Sequence, residues 1–257
     1  MRQQSEVKVI VRGSVIGGPQ PLICLPLVGD TRAKVLQEAE ALTKLQPDLL
    51  EWRIDGYNDV DNIADSLALL KEMRAIIGDT PLIFTCRIDL EGGMKKLSRQ
   101  VRLELNSAVM QTGDIDLIDI ELCNDREFID IIKDMAQKNG VKLILSFHNF
   151  AETPSEHFIY SKLVEAQTAG GDISKFAAMP KNYGDVLTLL NATQRARNEA
   201  VQVPIVAMSM GPEGAVSRLA GGLFGSDITF AIGMQASAPG QIPIKELRDG
   251  MALLYKG

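Results

Sequence analysis

Eight short apolar runs, each followed by a longer amphipathic stretch, limit what this chain can fold into more than any other feature of it. The runs fall at 22–27, 49–55, 82–87, 117–122, 141–148, 173–178, 204–209 and 227–232. The stretches at 31–45, 61–77, 98–112, 126–139, 155–169, 183–199, 215–222 and 244–255 carry apolar residues at helical spacing. Strand followed by helix, repeated, builds a parallel sheet covered by helices, because a parallel neighbour can be reached only by a long crossover. Eight such units in 257 residues match the order and length of an α/β protein of the (β/α)8 TIM barrel type, and a doubly wound open sheet is the alternative. A single barrel domain over 1–257 is expected, since no tract rich in Pro, Gly or Ser divides the chain. Residues 1–20 are expected to extend it: Val7, Val9, Val11 and Val15 with Gly13 and Gly17 read as a β-hairpin closing the barrel floor. Asp30, Asp61 and Ser155 stand where helix N-caps should be, and Gly78, Gly113, Gly140 and Gly170 where helices should stop.

Composition narrows the partners. A net charge of −6 and a pI near 5.1 argue against a nucleic-acid surface, so an anionic ligand needs local arginines. Cys24, Cys86 and Cys123 lie in or beside apolar runs and read as small buried thiols in a reducing compartment. The first six residues lack an apolar signal core, and no run approaches the roughly 18 apolar residues of a membrane helix. A cytoplasmic protein without membrane contact is expected.

In such a barrel the functional groups hang from the carboxyl ends of different strands. The run 141–148 delivers His148 at its end, and the run 173–178 carries Lys175. An amine and a proton carrier on neighbouring strands suggest imine chemistry on a ketone or aldehyde. Ile173, Phe176, Ala177 and Ala178 around Lys175 suggest an apolar setting that leaves some free amine. His157, the second of two histidines, falls in a helical stretch and reads as surface. Period two places Glu51, Arg53 and Asp55 on one face, either as a barrel salt bridge or against a ligand. Arg87 ends the third run before Glu91-Gly92-Gly93, and Asp119 and Glu121 are candidates to orient His148 or Lys175. The loop after the seventh run leads to Arg218 and the loop after the eighth carries Ser237 and Gln241; such loops often bind phosphate, and the planar fork of Arg218 suits a carboxylate at least as well. Neither glycine cluster forms a Walker loop or a dinucleotide fingerprint, and two histidines with scattered cysteines make no zinc set, so no cofactor or metal is called for.

These residues resemble the type I 3-dehydroquinate dehydratases of the shikimate pathway. The resemblance runs from Leu22 onward, through Leu50-Glu51-Trp52-Arg53-Ile54-Asp55, Thr85-Cys86-Arg87, Glu91-Gly92-Gly93, Asp119-Ile120-Glu121-Leu122, Ser146-Phe147-His148-Asn149-Phe150, Lys175-Phe176-Ala177-Ala178-Met179-Pro180, Ser217-Arg218-Leu219-Ala220-Gly221 and Ser237-Ala238-Pro239-Gly240-Gln241. It implies a hydro-lyase that dehydrates 3-dehydroquinate to 3-dehydroshikimate on the route to chorismate and the aromatic amino acids. By resemblance Lys175 forms the Schiff base, His148 is the general acid/base and Glu91 positions it. Arg218 clamps the substrate carboxylate, while Glu51, Arg53, Arg87, Ser237 and Gln241 hold ring hydroxyls and close a lid. A homodimer of barrels is implied as well. Phe147 and Asn149 depart from the family's more frequent residues at those places. A class I aldolase shares the barrel and the lysine, but Glu51, Arg53 and Arg218 fit a polyhydroxylated ring acid better. A silent binding barrel has no use for an amine set against a base.

Overall fold

The computed structural model describes residues 2–255. After an antiparallel pair, β1 (Val9–Val11) and β2 (Ser14–Ile16), come β3 (Leu22–Leu27), α1 (Arg32–Thr43), β4 (Leu49–Arg53), α2 (Ile63–Ile77), β5 (Leu82–Thr85) and α3 (Arg99–Met110). The chain continues through β6 (Leu117–Glu121), α4 (Arg126–Asn139), β7 (Lys142–Asn149), α5 (Glu156–Thr168), β8 (Ile173–Ala178) and α6 (Tyr183–Glu199). It ends with β9 (Ile205–Ser209), α7 (Ala215–Ala220), β10 (Ile228–Ile232), the two-residue β11 (Ile242–Pro243) and α8 (Ile244–Leu254). Strands β3 to β10 pair in parallel with the order β10-β3-β4-β5-β6-β7-β8-β9, the expected TIM barrel. Ser155 caps α5, as its position suggests, but α1 and α2 are capped by Thr31 and Asn62, each one residue after the expected aspartate. The cap oxygen must reach the N–H three residues on: Thr31 Oγ1 accepts from Lys34 and Asn62 Oδ1 from Asp65, whereas Asp30 pairs with the Lys34 ammonium.

Alternation along each strand sorts the side chains into two cores. Leu50, Trp52, Phe84, Ile118, Ile120, Leu143 and Leu145 face the helices. Leu49, Ile83, Leu117, Ile144, Ile173, Val206 and Ile228 fill the interior at the amino end, and Val9, Val11 and Ile16 of the hairpin pack against them. The hairpin turns on Arg12 and Gly13, both at positive φ, the conformation of a two-residue turn. It plugs the floor, and its apolar burial leaves the carboxyl end of the barrel as the open face.

The seam that closes the barrel, between β9 and β10, is not a backbone ladder. One bridge, Ile205 to Ser226, joins them, and side chains supply further partners. The Asp227 carboxylate accepts from Ile205 N–H at 2.8 Å, and Ser226 Oγ accepts from Ala207 N–H at 3.1 Å. Arg197 Nη2 donates to the same Asp227 carboxylate at 2.6 Å, and Arg2 donates to its other oxygen. All three charged groups are buried. Removing the anion from such a cluster leaves two cations with carbonyl partners but no carboxylate, so Asp227→Asn is expected to cost about 3–5 kcal/mol of stability, read by urea unfolding. A loss below about 1 kcal/mol would show that the seam does not depend on the carboxylate.

Candidate active site

Two residues beyond the aliphatic layer, the inward positions turn polar: Leu49 gives way to Glu51, Ile83 to Thr85, Leu117 to Asp119, Ile144 to Ser146 and Ile173 to Lys175. Glu51, Thr85, Asp119, Glu121 and Ser146 are almost completely buried, so each charge must find a partner inside the barrel. A cavity opens above this layer. Its walls include Glu51, Arg53, Arg87, Glu91, His148, Lys175, Ser237 and Gln241, with Phe150, Ala177, Met208, Met210, Phe230 and Ala238 between them.

Lys175 Nζ sits 2.6 Å from Asp119 Oδ2 and 3.6 Å from Glu51 Oε1, with the Phe230 ring centroid 4.9 Å away. The expected apolar setting is thereby corrected. The neighbours read from the sequence lie along β8, but those that meet the amine come from β4 and β6 across the barrel. Glu51 Oε1 also accepts from Thr85 Oγ1 at 2.9 Å. Arg87 spans the layer: Nη1 donates to Glu121 Oε1 at 2.9 Å and to Ser146 Oγ at 2.8 Å, and Nη2 lies 3.0 Å from Asp119 Oδ2. Burial alone would raise the Asp119 carboxyl, but Arg87, Lys175 and His148 together hold it far below the ordinary carboxylate range.

Arg53 forks Asp55 with contacts of 2.9 and 2.8 Å, so the β4 salt bridge joins Arg53 to Asp55 and not to Glu51. The same pair grips the next loop, because Arg53 donates to Gly92 O at 3.2 Å and Asp55 accepts from Met94 N–H at 3.0 Å. That loop presents Glu91. Gly92 has φ +84° and lies under Phe150, while a Cβ on Gly93 would stand 2.2 Å from the Arg87 carbonyl oxygen. Two glycines after Glu91 are therefore a steric requirement.

Glu91 Oε2 accepts from the His148 backbone N–H at 2.8 Å and lies 2.9 Å from His148 Nδ1. With Glu91 ionised, Nδ1 carries the ring proton and Nε2 is the basic nitrogen. Burial, reinforced by Arg87 and Lys175, drives the imidazole well below its ordinary value and keeps it neutral. Burial also pushes Glu91 up to about 7, opposed by Arg87. Ser146 stands opposite Lys175 in the β7–β8 register, and His148 is two residues further along β7, so imidazole and amine share a face.

Arg218 on α7 is buried behind Met208 and Phe230 and does not line the cavity. Its Nη2 donates to Pro239 O at 3.0 Å, and no carboxylate pairs with it among the described residues. Burial lowers it to about 10. Pro239 O also accepts from Gly211 N–H at 3.1 Å, so the loop bearing Ser237 and Gln241 is docked on the loop after β9. Gln241 Nε2 donates to Ser237 Oγ at 3.2 Å and its Oε1 accepts from Ser237 N–H at 2.9 Å. Gly240, at φ +75°, makes this approach possible, since a Cβ there would lie 1.8 Å from Gly211 O. His157 is exposed, as expected. Cys24 and Cys86 are buried, but Cys123 is exposed, because it lies in the loop just beyond the end of β6.

Thr85, Ser146, Phe150, Met208, Met210 and Phe230 join the site without being candidates from the sequence. The period of two that marks β4 and β6, applied to β5, β7 and β9, reaches Thr85, Ser146 and Met208. No group of three or more His, Cys, Asp or Glu able to hold a metal occurs among the described residues. No helix among them is long and apolar enough to cross a membrane.

The family model for type I 3-dehydroquinase matches residues 23–257. A 3-dehydroquinate dehydratase of Geobacillus thermodenitrificans is 44% identical over 253 residues, covering 98% of each chain. One from Listeria monocytogenes is 45% identical over 249 residues, covering 97% of this chain and 98% of the relative. Among solved structures, the 3-dehydroquinate dehydratase of Geobacillus kaustophilus superposes with a TM-score of 0.96 at 42% identity, covering 99% of this chain and 98% of that one. The type I 3-dehydroquinate dehydratase of Clostridium difficile with covalent modified comenic acid gives 0.94 at 42% identity, covering 97% and 98%.

Two outcomes test this geometry. Nitrogen NMR of His148 should show the Nδ1–H tautomer above about pH 7 and lose it as Glu91 takes up its proton below, while Glu91→Gln should abolish that transition. A transition unchanged in the variant would assign it elsewhere. Gly240→Ala should undock the loop at 236–242 and speed amide hydrogen exchange there by about tenfold or more, with the barrel strands unaffected.

Proposed function

We propose that this chain, which belongs to the type I 3-dehydroquinase family, converts 3-dehydroquinate to 3-dehydroshikimate and water through an imine on Lys175, with His148 as general acid and base. The observation that carries the reading is the placing of Lys175 and His148 on adjacent strands, facing one cavity, each held by its own carboxylate. The shikimate-pathway substrate is that of the relatives matched over nearly the whole chain.

The chemistry follows from those positions. Lys175 gives up an ammonium proton, its nitrogen attacks the ring ketone, and loss of water yields a cationic imine. Asp119, kept ionised beside Nζ, stabilises that cation. His148 Nε2 then takes a proton from the carbon next to the imine, and the electron pair forms an enamine. The enamine expels the tertiary hydroxyl, which leaves as water with the proton that His148 held. Water hydrolyses the conjugated imine, releasing the enone and restoring the lysine. The water lost on forming the imine is regained at hydrolysis, so the net change is one dehydration. Glu91 sets the tautomer that makes Nε2 the base.

Arg218 is assigned the substrate carboxylate in this reading on the family resemblance, although it stands behind Met208 and Phe230 and not in the cavity wall. A buried guanidinium with no anionic partner among the described residues has an unused capacity for one, and that anion would offset its desolvation. Glu51, Arg53, Ser237 and Gln241 hold ring hydroxyls. Arg87, whose end nitrogens already meet Glu121, Ser146 and Asp119, contributes mainly by keeping those groups in place. The chain is read as one barrel domain, working in the cytoplasm as a homodimer.

Borohydride reduction with 3-dehydroquinate, followed by peptide mass analysis, tests the reading. Wild-type protein should gain substrate mass at Lys175, and Lys175→Ala should gain none and show no turnover. His148→Ala should still be trapped yet lose about 10²–10⁴-fold in turnover, followed by the ultraviolet absorbance of the enone. Turnover by Lys175→Ala would defeat the proposal.

A further inference from the structure

The geometry points to Ser146 as a positioning residue that aims the Asp119 carboxylate at Lys175. This rests on the imine reading above and goes beyond it, since Ser146 touches neither the cavity nor a reacting atom. The hydroxyl is fully buried on β7, directly opposite Lys175 in the register. A serine has one proton to donate, and the short contact, 2.6 Å to Asp119 Oδ1, takes it; the Ile120 carbonyl at 3.3 Å is the weaker alternative. Its lone pair accepts from Arg87 Nη1 at 2.8 Å.

That arrangement prevents a competing one. Arg87 already reaches Asp119 Oδ2 through Nη2 at 3.0 Å, and an arginine prefers to meet a carboxylate with both arms. Ser146 takes the Nη1 proton that Glu121 leaves and holds Oδ1 at once, so the guanidinium does not close as a fork on Asp119. Oδ2, shared with Arg87 Nη2, thus stays turned to Lys175 Nζ at 2.6 Å. Without the hydroxyl, Arg87 gains a free Nη1–H and Asp119 loses its neutral donor. The carboxylate then turns toward Arg87 and away from the nitrogen that must become a cationic imine.

Single-turnover trapping with borohydride and 3-dehydroquinate, run as a double-mutant cycle, tests this. Ser146→Ala is expected to slow trapping at Lys175 by about 10–100-fold, the range for a hydrogen bond to a charged group. In an Asp119→Asn background the same change is expected to have less than about a twofold effect, because the group Ser146 acts through is gone. Ser146→Thr, which keeps the hydroxyl, should recover most of the rate and guards against an alanine variant that folds poorly. Equal slowing in both backgrounds, or an alanine variant as fast as wild type, overturns the inference. Absence of trapping in the wild-type protein would instead remove the imine reading itself.

Discussion

The pairing of Lys175 with Asp119, buried inside the barrel, is the interaction on which the rest of the site depends. Glu51, Asp55, Asp119 and Glu121 are all buried near the carboxyl ends of the strands, and so are Arg53, Arg87 and Lys175. Isolated charges there would each cost several kcal/mol, so the layer exists only as a mutually satisfied lattice. Arg87 is its centre, meeting Asp119, Glu121 and Ser146 from one guanidinium. Such a lattice fixes positions more than it adds stability, because desolvation offsets most of the Coulombic gain. What it yields is an amine and an imidazole at set places before any substrate arrives.

Both ends of the barrel follow from one alternation. Inward residues are aliphatic at the amino end, where Val9, Val11 and Ile16 seal them, and polar two residues further on. The hairpin makes an apolar floor, and the low-dielectric surroundings strengthen each ion pair above it. Met208, Met210 and Phe230 continue the apolar wall beside the cavity. Arg218 behind that wall is the one buried cation of the site without a carboxylate among the described residues.

Much of this was legible in the amino-acid order, and the reasons for the exceptions are physical. Hydrophobic runs and their spacing located all eight barrel strands, because burial against helices leaves a period that composition cannot hide. Lys175, His148, Glu51, Arg53 and Arg87 were recognisable as inward groups at strand ends, and Glu91, Ser237 and Gln241 through a family resemblance; all of them line the cavity. The neighbours of Lys175 were not legible: sequence reports residues along β8, while Asp119 and Glu51 approach from other strands. Ser146 was overlooked for a related reason, since a small hydroxyl in an apolar run reveals its role only when Asp119 and Arg87 are placed on either side of it. The N-caps shifted by one residue because a cap depends on the reach of a side chain, which the polar character of Asp30 and Asp61 does not specify.

A crystal structure of the wild-type protein reduced in the presence of 3-dehydroquinate tests the central claim most directly. The account predicts continuous density from Lys175 Nζ to the former ketone carbon, Asp119 Oδ2 within hydrogen-bond distance of that nitrogen, and His148 Nε2 over the adjacent carbon. Density showing an unmodified Lys175, or a lysine adduct swung away from Asp119 with His148 on the far side of the ring, would contradict it.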